Sequence, residues 1–220
     1  MKRRELFTGP AQPLASTCCK PGVSRMATLI PNALFRTHEN EEVRFYDDII
    51  KGKQVMVMMM YANCENFCPL ATKRMVDLHH QALAHRIGKD LFMVNVSLKP
   101  EEDDPAALEA YAQMHHALLP GWTFLTGDRY DVDTLRYRFF SHDHIGLDED
   151  PEQHAGLMKI INDPAGRWFH ADVFASTRTV LEHIQWSDPP KPLAERLEEN
   201  RKLQERIDRD RAVYGFRKIA

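Results

Sequence analysis

The hydrophobic pattern alternates between short, continuously apolar runs and longer stretches in which apolar residues return every three or four positions. Gln54 to Met60 carries no charge and follows a Lys-Gly-Lys turn at Lys51 to Lys53, which predicts a buried central strand. Leu91 to Leu98 predicts a second buried strand and Trp122 to Leu125 a third. Before them, Val43 and Phe45 alternate within Glu42 to Tyr46, a further strand, with a short amphipathic turn over Asp47 to Ile50. Between the strands lie helical periods. Ala71, Met75, Leu78 and Ala82 share one face of a helix predicted from Pro69 to Ile87 and stopped by Gly88. Asp104 caps the next helix with Pro105 at its first position, and Leu108, Tyr111 and Ala112 line its inner side. A third helix begins at Asp128 or Asp131 and buries Val132, Leu135 and Phe139. Gly156 to Ile161 and Arg167 to His170 flank the hairpin signal Asn162 to Gly166, and Ser176 to Trp186 reads as the last helix. Strands alternating with helices predict an α/β fold with right-handed crossovers and parallel strand pairs.

The flanks differ. Residues 1–40 are rich in Pro, Ser, Thr and Arg without a period and read as an irregular leader, and residues 41–187 as the folded unit. Asp188 to Pro192 breaks the chain before a mixed-charge helical extension over 188–220, with Glu198–Lys202 and Glu205–Arg209 at i,i+4 spacing and a thin stripe of Leu193, Leu197, Leu203 and Ile207. Ser141 to Gln153 is a polar, acidic surface loop that holds His142 and His144 and closes on His154.

The formal net charge of −3 over 220 residues argues against nucleic acid and anionic membranes as partners, and no stretch approaches the length of a membrane span. The start, Met1-Lys-Arg-Arg-Glu-Leu-Phe, has the twin arginines of an export signal, but Pro10, Gln12, Pro13, Ser16, Lys20 and Pro21 interrupt the apolar segment such a signal needs.

The four cysteines form two close pairs, Cys18 with Cys19 and Cys64 with Cys68, rather than the scattered pattern of a disulfide framework. Nothing near Cys18 and Cys19 except Lys20 lowers a thiol pKa, and they read as exposed thiols on a loose arm. Cys64 and Cys68 follow the central strand directly, in Tyr-Ala-Asn-Cys-Glu-Asn-Phe-Cys-Pro. With Cys68 as cap and Pro69 at the first helical position, a thiolate there is stabilised by the helix N-terminus, the layout of a redox or metal site. The methionines at 56 and 58–60 belong to the strand and read as core rather than thioether ligands. His79, His80, His85, His115 and His116 read as surface groups.

Cys64 and Cys68 with Pro69, the segment Val96 to Pro105 (Val-Ser-Leu-Lys-Pro-Glu-Glu-Asp-Asp-Pro), Trp122 to Gly127, and the acidic loop running into His154 together resemble the SCO/SenC family of copper chaperones over about Val43 to Trp186. The chain departs from the family pattern at Lys99, where an Asp is usual, and at Glu65, Asn66 and Phe67 between the cysteines. The resemblance implies a thioredoxin-like fold, a central mixed sheet flanked by helices. It implies copper as Cu(I) or Cu(II) on Cys64, Cys68 and His154, and delivery of that copper to a cuproprotein client such as a cytochrome c oxidase subunit. It also implies reduction of the client's cysteines, with a thiol reductant as a further partner, and an extracytoplasmic site of action, against a cytoplasmic one for a chain without a complete signal. The donor set suits this chemistry: thiolates hold Cu(I), and an imidazole makes Cu(II) tolerable. The alternative is a thiol-disulfide oxidoreductase that uses Cys64 and Cys68 as its redox pair without stable copper.

Overall fold

The computed structural model describes residues 25–84, 86–140 and 156–188, with Ala194, Glu195, Leu197, Glu198, Arg201, Lys202 and Glu205 beyond them. It begins with α1 (Arg25–Leu29), β1 (Leu34–Thr37) and β2 (Glu42–Arg44), then a π-helical turn (Phe45–Ile50) and β3 (Gln54–Met60). Next come α2 (Phe67–Leu78), extended by a π-helical turn (His79–Leu83), and β4 (Leu91–Ser97), α3 (Pro105–Met114), β5 (Trp122–Gly127) and α4 (Arg129–Phe140). The hairpin β6 (Leu157–Asn162) and β7 (Arg167–Asp172) and the helix α5 (Thr177–Ser187) complete the unit.

The strands form one seven-stranded mixed sheet in the order β2-β1-β5-β4-β3-β6-β7. β3 pairs parallel with β4, and β4 with β5, while every other pairing is antiparallel. All seven positions of β3 are buried, as a strand covered on both faces requires. Its methionines lie in the core, each contributing on the order of 1.5–3 kcal/mol by leaving water. Pairing parity assigns the layers. Gln54 points toward α5, where its amide donates to the Ile184 carbonyl at 3.0 Å. Lys159 pairs with Val57, on the opposite face, and its ammonium donates to the Phe139 carbonyl of α4 at 2.7 Å. Helices α2, α3 and α5 therefore share one face: Thr72 of α2 and Tyr111 of α3 exchange a 2.8 Å hydrogen bond, and Arg74 of α2 donates to the Ala175 carbonyl and Thr177 at the start of α5. On the other face Phe35, Phe45, Phe139 and Trp168 form a chain of ring contacts at 5.5–6.3 Å.

Several boundaries differ from the sequence expectation. The leader gives way to structure well before residue 40, because Phe35 alternates with exposed neighbours and β1 joins β2 to β5. β2 stops at Arg44, where the Asp48 carboxylate accepts from the Arg44 N–H at 2.6 Å and opens the π-helical turn. The helix read as ending at Ile87 leaves the α form after Leu78. The capping of α3 by Asp104, whose Oδ1 accepts from the Ala107 N–H at 2.8 Å, is as expected, and so is the hairpin. In the C-terminal extension the expected Glu198–Lys202 pair is present at 3.5 Å, and Arg201 also pairs with Glu198 and Glu205. Among the described residues, no helix is long and apolar enough to cross a membrane.

Candidate metal and redox centre

β3 delivers the chain to the carboxyl end of the parallel strands, and the cysteine loop starts there. Tyr61 is buried beside the strand end, and the Ala62 N–H donates to Asp103 Oδ2 at 3.0 Å. That same oxygen accepts from Ser97 Oγ at 2.5 Å, and Ser97 Oγ accepts from the Lys99 N–H at 3.0 Å. The segment after β4 thus clamps the cysteine loop through one buried carboxylate. Burial pushes the Asp103 carboxyl above the usual carboxylate range, against the opposing pull of the Ser97 and Ala62 hydrogen bonds and of Lys99. The Lys99 ammonium sits 4.5 Å from the centre of the Tyr61 ring.

The helix begins two residues earlier than predicted. Asn66, not Cys68, is the N-cap residue, in helical geometry and without a side-chain cap bond, so Cys68 and Pro69 both lie inside the first turn. Pro69 is still compatible with this placement, because the first-turn N–H groups have no intrahelical acceptor. The sulfur of Cys64 fills the vacant capping role: it accepts from the Cys68 N–H at 3.3 Å.

Neither Cys64 nor Cys68 is in a disulfide, and both are buried. Cys64 keeps 8% of its surface exposed and Cys68 only 1%. Their acidities split. Burial raises the Cys64 pKa, but the N–H groups of Cys68 and Asn66 and the side chains of Cys68 and Tyr61 outweigh it, and the thiol lies below its ordinary value. For Cys68 burial wins: the thiol is pushed far up, helped by the neighbouring Cys64 and Asp103 charges and opposed by a contact with the Tyr61 backbone. Tyr111, buried and paired with Thr72, is shifted upward as well, again chiefly by burial, with the two cysteines and Asp103 adding to it.

Phe67, between the cysteines, packs edge-on against Phe174 with ring centroids 5.2 Å apart. On its other side is Gly156: a Cβ there would stand 2.7 Å from Phe67 Cζ, and Gly156 has a φ of +64°. The start of the β6–β7 hairpin is thereby held against the cysteine loop, and the Val173 N–H donates to the Gly156 carbonyl at 2.9 Å. His154 lies outside the described residues, as do His142, His144, Cys18 and Cys19. Among the described residues, no group of three or more His, Cys, Asp or Glu side chains is placed to hold a metal ion.

The other histidines divide. His80 and His116 are exposed, in line with expectation, but His79 is buried, with Nδ1 lacking a hydrogen-bond partner, and its pKa is lowered first by that burial. Sequence reasoning also gave no role at the site to Asp103, Tyr61 or Phe174, and read Tyr111 only as lining the inner side of its helix. Within the Glu-Glu-Asp-Asp run only Asp104, followed by the Pro that marks a cap, carries a signal of its own.

The SCO1/SenC family profile matches residues 28–186. A SCO1 protein homolog of Bacillus subtilis is 33% identical over 78 residues, 36% of this chain and 39% of that protein's length. Three solved structures share the fold. A SCO1/SenC lipoprotein of Bacillus anthracis is 20% identical, covering 71% of this chain and 92% of its own, with a TM-score of 0.58. BsSco, described with a disulfide switch and as a member of the Sco family of cytochrome c oxidase assembly proteins, is 22% identical over 70% and 90%, with a TM-score of 0.55. Yeast Sco1 with copper bound is 18% identical over 73% and 98%, with a TM-score of 0.54. A cysteine pair on the strand-to-helix exit of a thioredoxin-like sheet, in a chain matched over nearly the whole described unit, makes this protein a member of the SCO1/SenC family.

Proposed function

We propose that the protein binds copper through Cys64, Cys68 and His154 and passes it to a cuproprotein client, a cytochrome c oxidase subunit being the kind its family points to. The observation that carries this reading is the contact of Gly156 with Phe67. His154 stands two positions ahead of Gly156, no more than about 7 Å of extended chain from it, which supports assigning its imidazole to the same centre. Cys64, its pKa held below the ordinary thiol value by N–H groups, gives up its proton to a metal more readily than an ordinary thiol, and a metal ion would displace the proton of Cys68. Soft sulfur donors favour Cu(I), and the neutral ring adds the nitrogen that makes Cu(II) tolerable. A lipoprotein relative and a copper-bound one support an extracytoplasmic site of action and a copper cargo.

The test is copper titration of the reduced chain, followed by thiolate-to-copper charge transfer, with Cys64→Ser and His154→Ala in parallel. A one-to-one site is expected in the parent, with the Cu(II) band lost in both variants. Cu(II) bound by His154→Ala as tightly as by the parent would sink the ligand assignment.

The split acidity favours a second, compatible reading. A low-pKa Cys64 beside a high-pKa Cys68 is the arrangement of an attacking and a resolving thiol, suited to reducing a client's disulfide with a thiol reductant regenerating the pair. In that role the reduction potential falls between about −120 and −270 mV and is unaffected by His154→Ala. A potential far more negative than that range would leave the pair structural.

A further inference from the structure

Tyr61, where β3 runs out into the cysteine loop, meets both sulfurs. Its hydroxyl donates a hydrogen bond to Cys64, and its backbone contacts Cys68. The phenol is buried, and a buried hydroxyl settles on whatever acceptor its surroundings offer. Here that acceptor is the sulfur that also receives the Cys68 N–H at 3.3 Å. Over the ring stands a charge, the Lys99 ammonium, 4.5 Å from its centre.

Backbone hydrogen bonds hold this arrangement from both sides. The Leu98 N–H donates to the Met60 carbonyl at 2.7 Å, and the Lys99 N–H donates to Ser97 Oγ at 3.0 Å. The Ala62 N–H donates to Asp103 Oδ2 at 3.0 Å. The residues on either side of Tyr61 are therefore tied to the segment that carries Lys99, and the lysine stem starts from fixed backbone beside the ring.

A cation over an aromatic face draws on the ring's electrons, which makes a phenol O–H a stronger donor. Hydrogen bonds to a cysteine sulfur in turn tune how firmly it holds its electrons, and with that the potential of whatever chemistry it takes part in. A thiol or thiolate sulfur accepts a hydrogen bond better than a disulfide sulfur does, so a donor aimed at Cys64 favours the reduced pair. We propose that the Tyr61 hydroxyl, with the Lys99 ammonium above its ring, sets the donor strength of the Cys64 sulfur, and so the reduction potential of the cysteine pair. Tyr61 touches the reacting sulfur; Lys99 is a positioning residue that acts through it. The inference rests on Cys64 and Cys68 being the working centre, by either route above, and adds to it the side chains that set its strength.

The test equilibrates the full chain with glutathione buffers and reads the oxidised fraction by thiol alkylation and mass spectrometry. The Cys64–Cys68 disulfide gains two electrons and two protons from two molecules of glutathione, which leave as one glutathione disulfide. Tyr61→Phe keeps the ring and its contact with Lys99 but loses the hydroxyl. It is expected to disfavour the reduced pair by about tenfold, a potential about 30 mV more negative. Lys99→Met should move the equilibrium the same way by about two- to fivefold, and Lys99→Arg should restore it, since a guanidinium also stacks on a ring. In the Tyr61→Phe background Lys99→Met should add nothing.

A parental potential in Tyr61→Phe overturns the inference, whatever that variant loses in thermal stability. A Lys99→Met shift that is equally large without the hydroxyl overturns the part given to Lys99, by making its charge act on the sulfurs directly. A second arm titrates Cu(II). The thiolate-to-copper band of Tyr61→Phe is expected at longer wavelength than the parent's, because its sulfur holds its electrons less tightly, and an unmoved band counts against the inference. The glutathione arm needs no metal and the copper arm needs no disulfide, so failure of either functional reading and failure of this inference are separate results.

Discussion

At the scale of single residues, two thiols four positions apart come to opposite chemical states through their hydrogen-bond partners. Cys64 receives N–H donors from the helix start, and Cys68 sits below it among apolar groups and near Asp103. In the reduced protein, therefore, iodoacetamide at neutral pH is expected to alkylate Cys64 about tenfold or more faster than Cys68, with Cys68 reacting only on unfolding. Peptide mass spectrometry of the partly alkylated protein checks this, and equal labelling would remove the asymmetry. Asp103 yields a second prediction, with its sign fixed by the direction of its shift. Its folded pKa lies above the unfolded value, so the protonated form is the one that folding favours. The stability it contributes is full below the unfolded pKa near 3.8 and is lost as pH rises through the folded value. Asp103→Asn can keep both hydrogen bonds, since Ser97 and Ala62 donate to the same oxygen. Urea unfolding of the variant should accordingly lack that loss across the acidic range, whereas a parental slope retained in the variant would assign it to another carboxylate. The cysteines were legible because their spacing and the preceding apolar run are local. Asp103 was not, since its role comes from Ala62 and Ser97, and nothing in the run of acids distinguishes a buried carboxylate from a solvated one.

At the scale of elements, the periodic signals carried most of the structure and the close approaches between backbones carried the rest. β3, α3 and the β6–β7 hairpin follow the pattern because strand alternation, an Asp-Pro cap and a turn signal each act within a few residues. β1 was hidden in an irregular leader, since four residues with one buried aromatic and one buried threonine make too short a period, and only pairing with β2 and β5 makes them a strand. The start of α2 was misplaced because a cysteine sulfur, not a conventional cap side chain, accepts the first-turn N–H. Two glycines expose what periodicity cannot reveal. Gly121 has a φ of +76°, and a Cβ on it would come within 2.4 Å of the Gly88 backbone nitrogen. Backbone cannot move aside as a flexible side chain does, so Gly121→Ala is expected to cost about 3 kcal/mol or more in urea unfolding. A cost below about 1 kcal/mol would mean that the two loops separate freely. Gly156→Ala tests the link between hairpin and cysteine loop: it drives a methyl into Phe67 and should weaken Cu(II) binding by about tenfold or more, within the range of disturbed supporting contacts. Copper affinity unchanged in that variant would detach the hairpin from the site.

At the scale of the whole molecule, the cysteine pair and the hairpin that follows His154 come from distant parts of the chain and meet only because β6 lies antiparallel beside β3 in the finished sheet. Alternating strands and helices announced an α/β fold but not this order, which depends on pairings across long stretches of sequence, and the family resemblance supplied what the pattern could not. A site assembled by the fold has a thermodynamic signature that a site made of sequence neighbours alone lacks. Copper on the proposed ligands Cys64, Cys68 and His154 would bind the folded state in preference to the unfolded one and so would stabilise it by linkage, roughly 2.7 kcal/mol at a free metal concentration a hundred times Kd. For a chain of this size that corresponds to a rise in Tm of roughly 5–10 °C. Copper held only by two thiols adjacent in sequence would bind folded and unfolded chains alike and shift nothing. Thermal unfolding of the reduced protein with and without copper is therefore expected to show the rise in the parent and in Cys18→Ser with Cys19→Ser, and to lose it in Cys68→Ser. An equal rise in Cys68→Ser would move the metal elsewhere in the fold; a rise lost with Cys18 and Cys19 would tie the leader to the copper site.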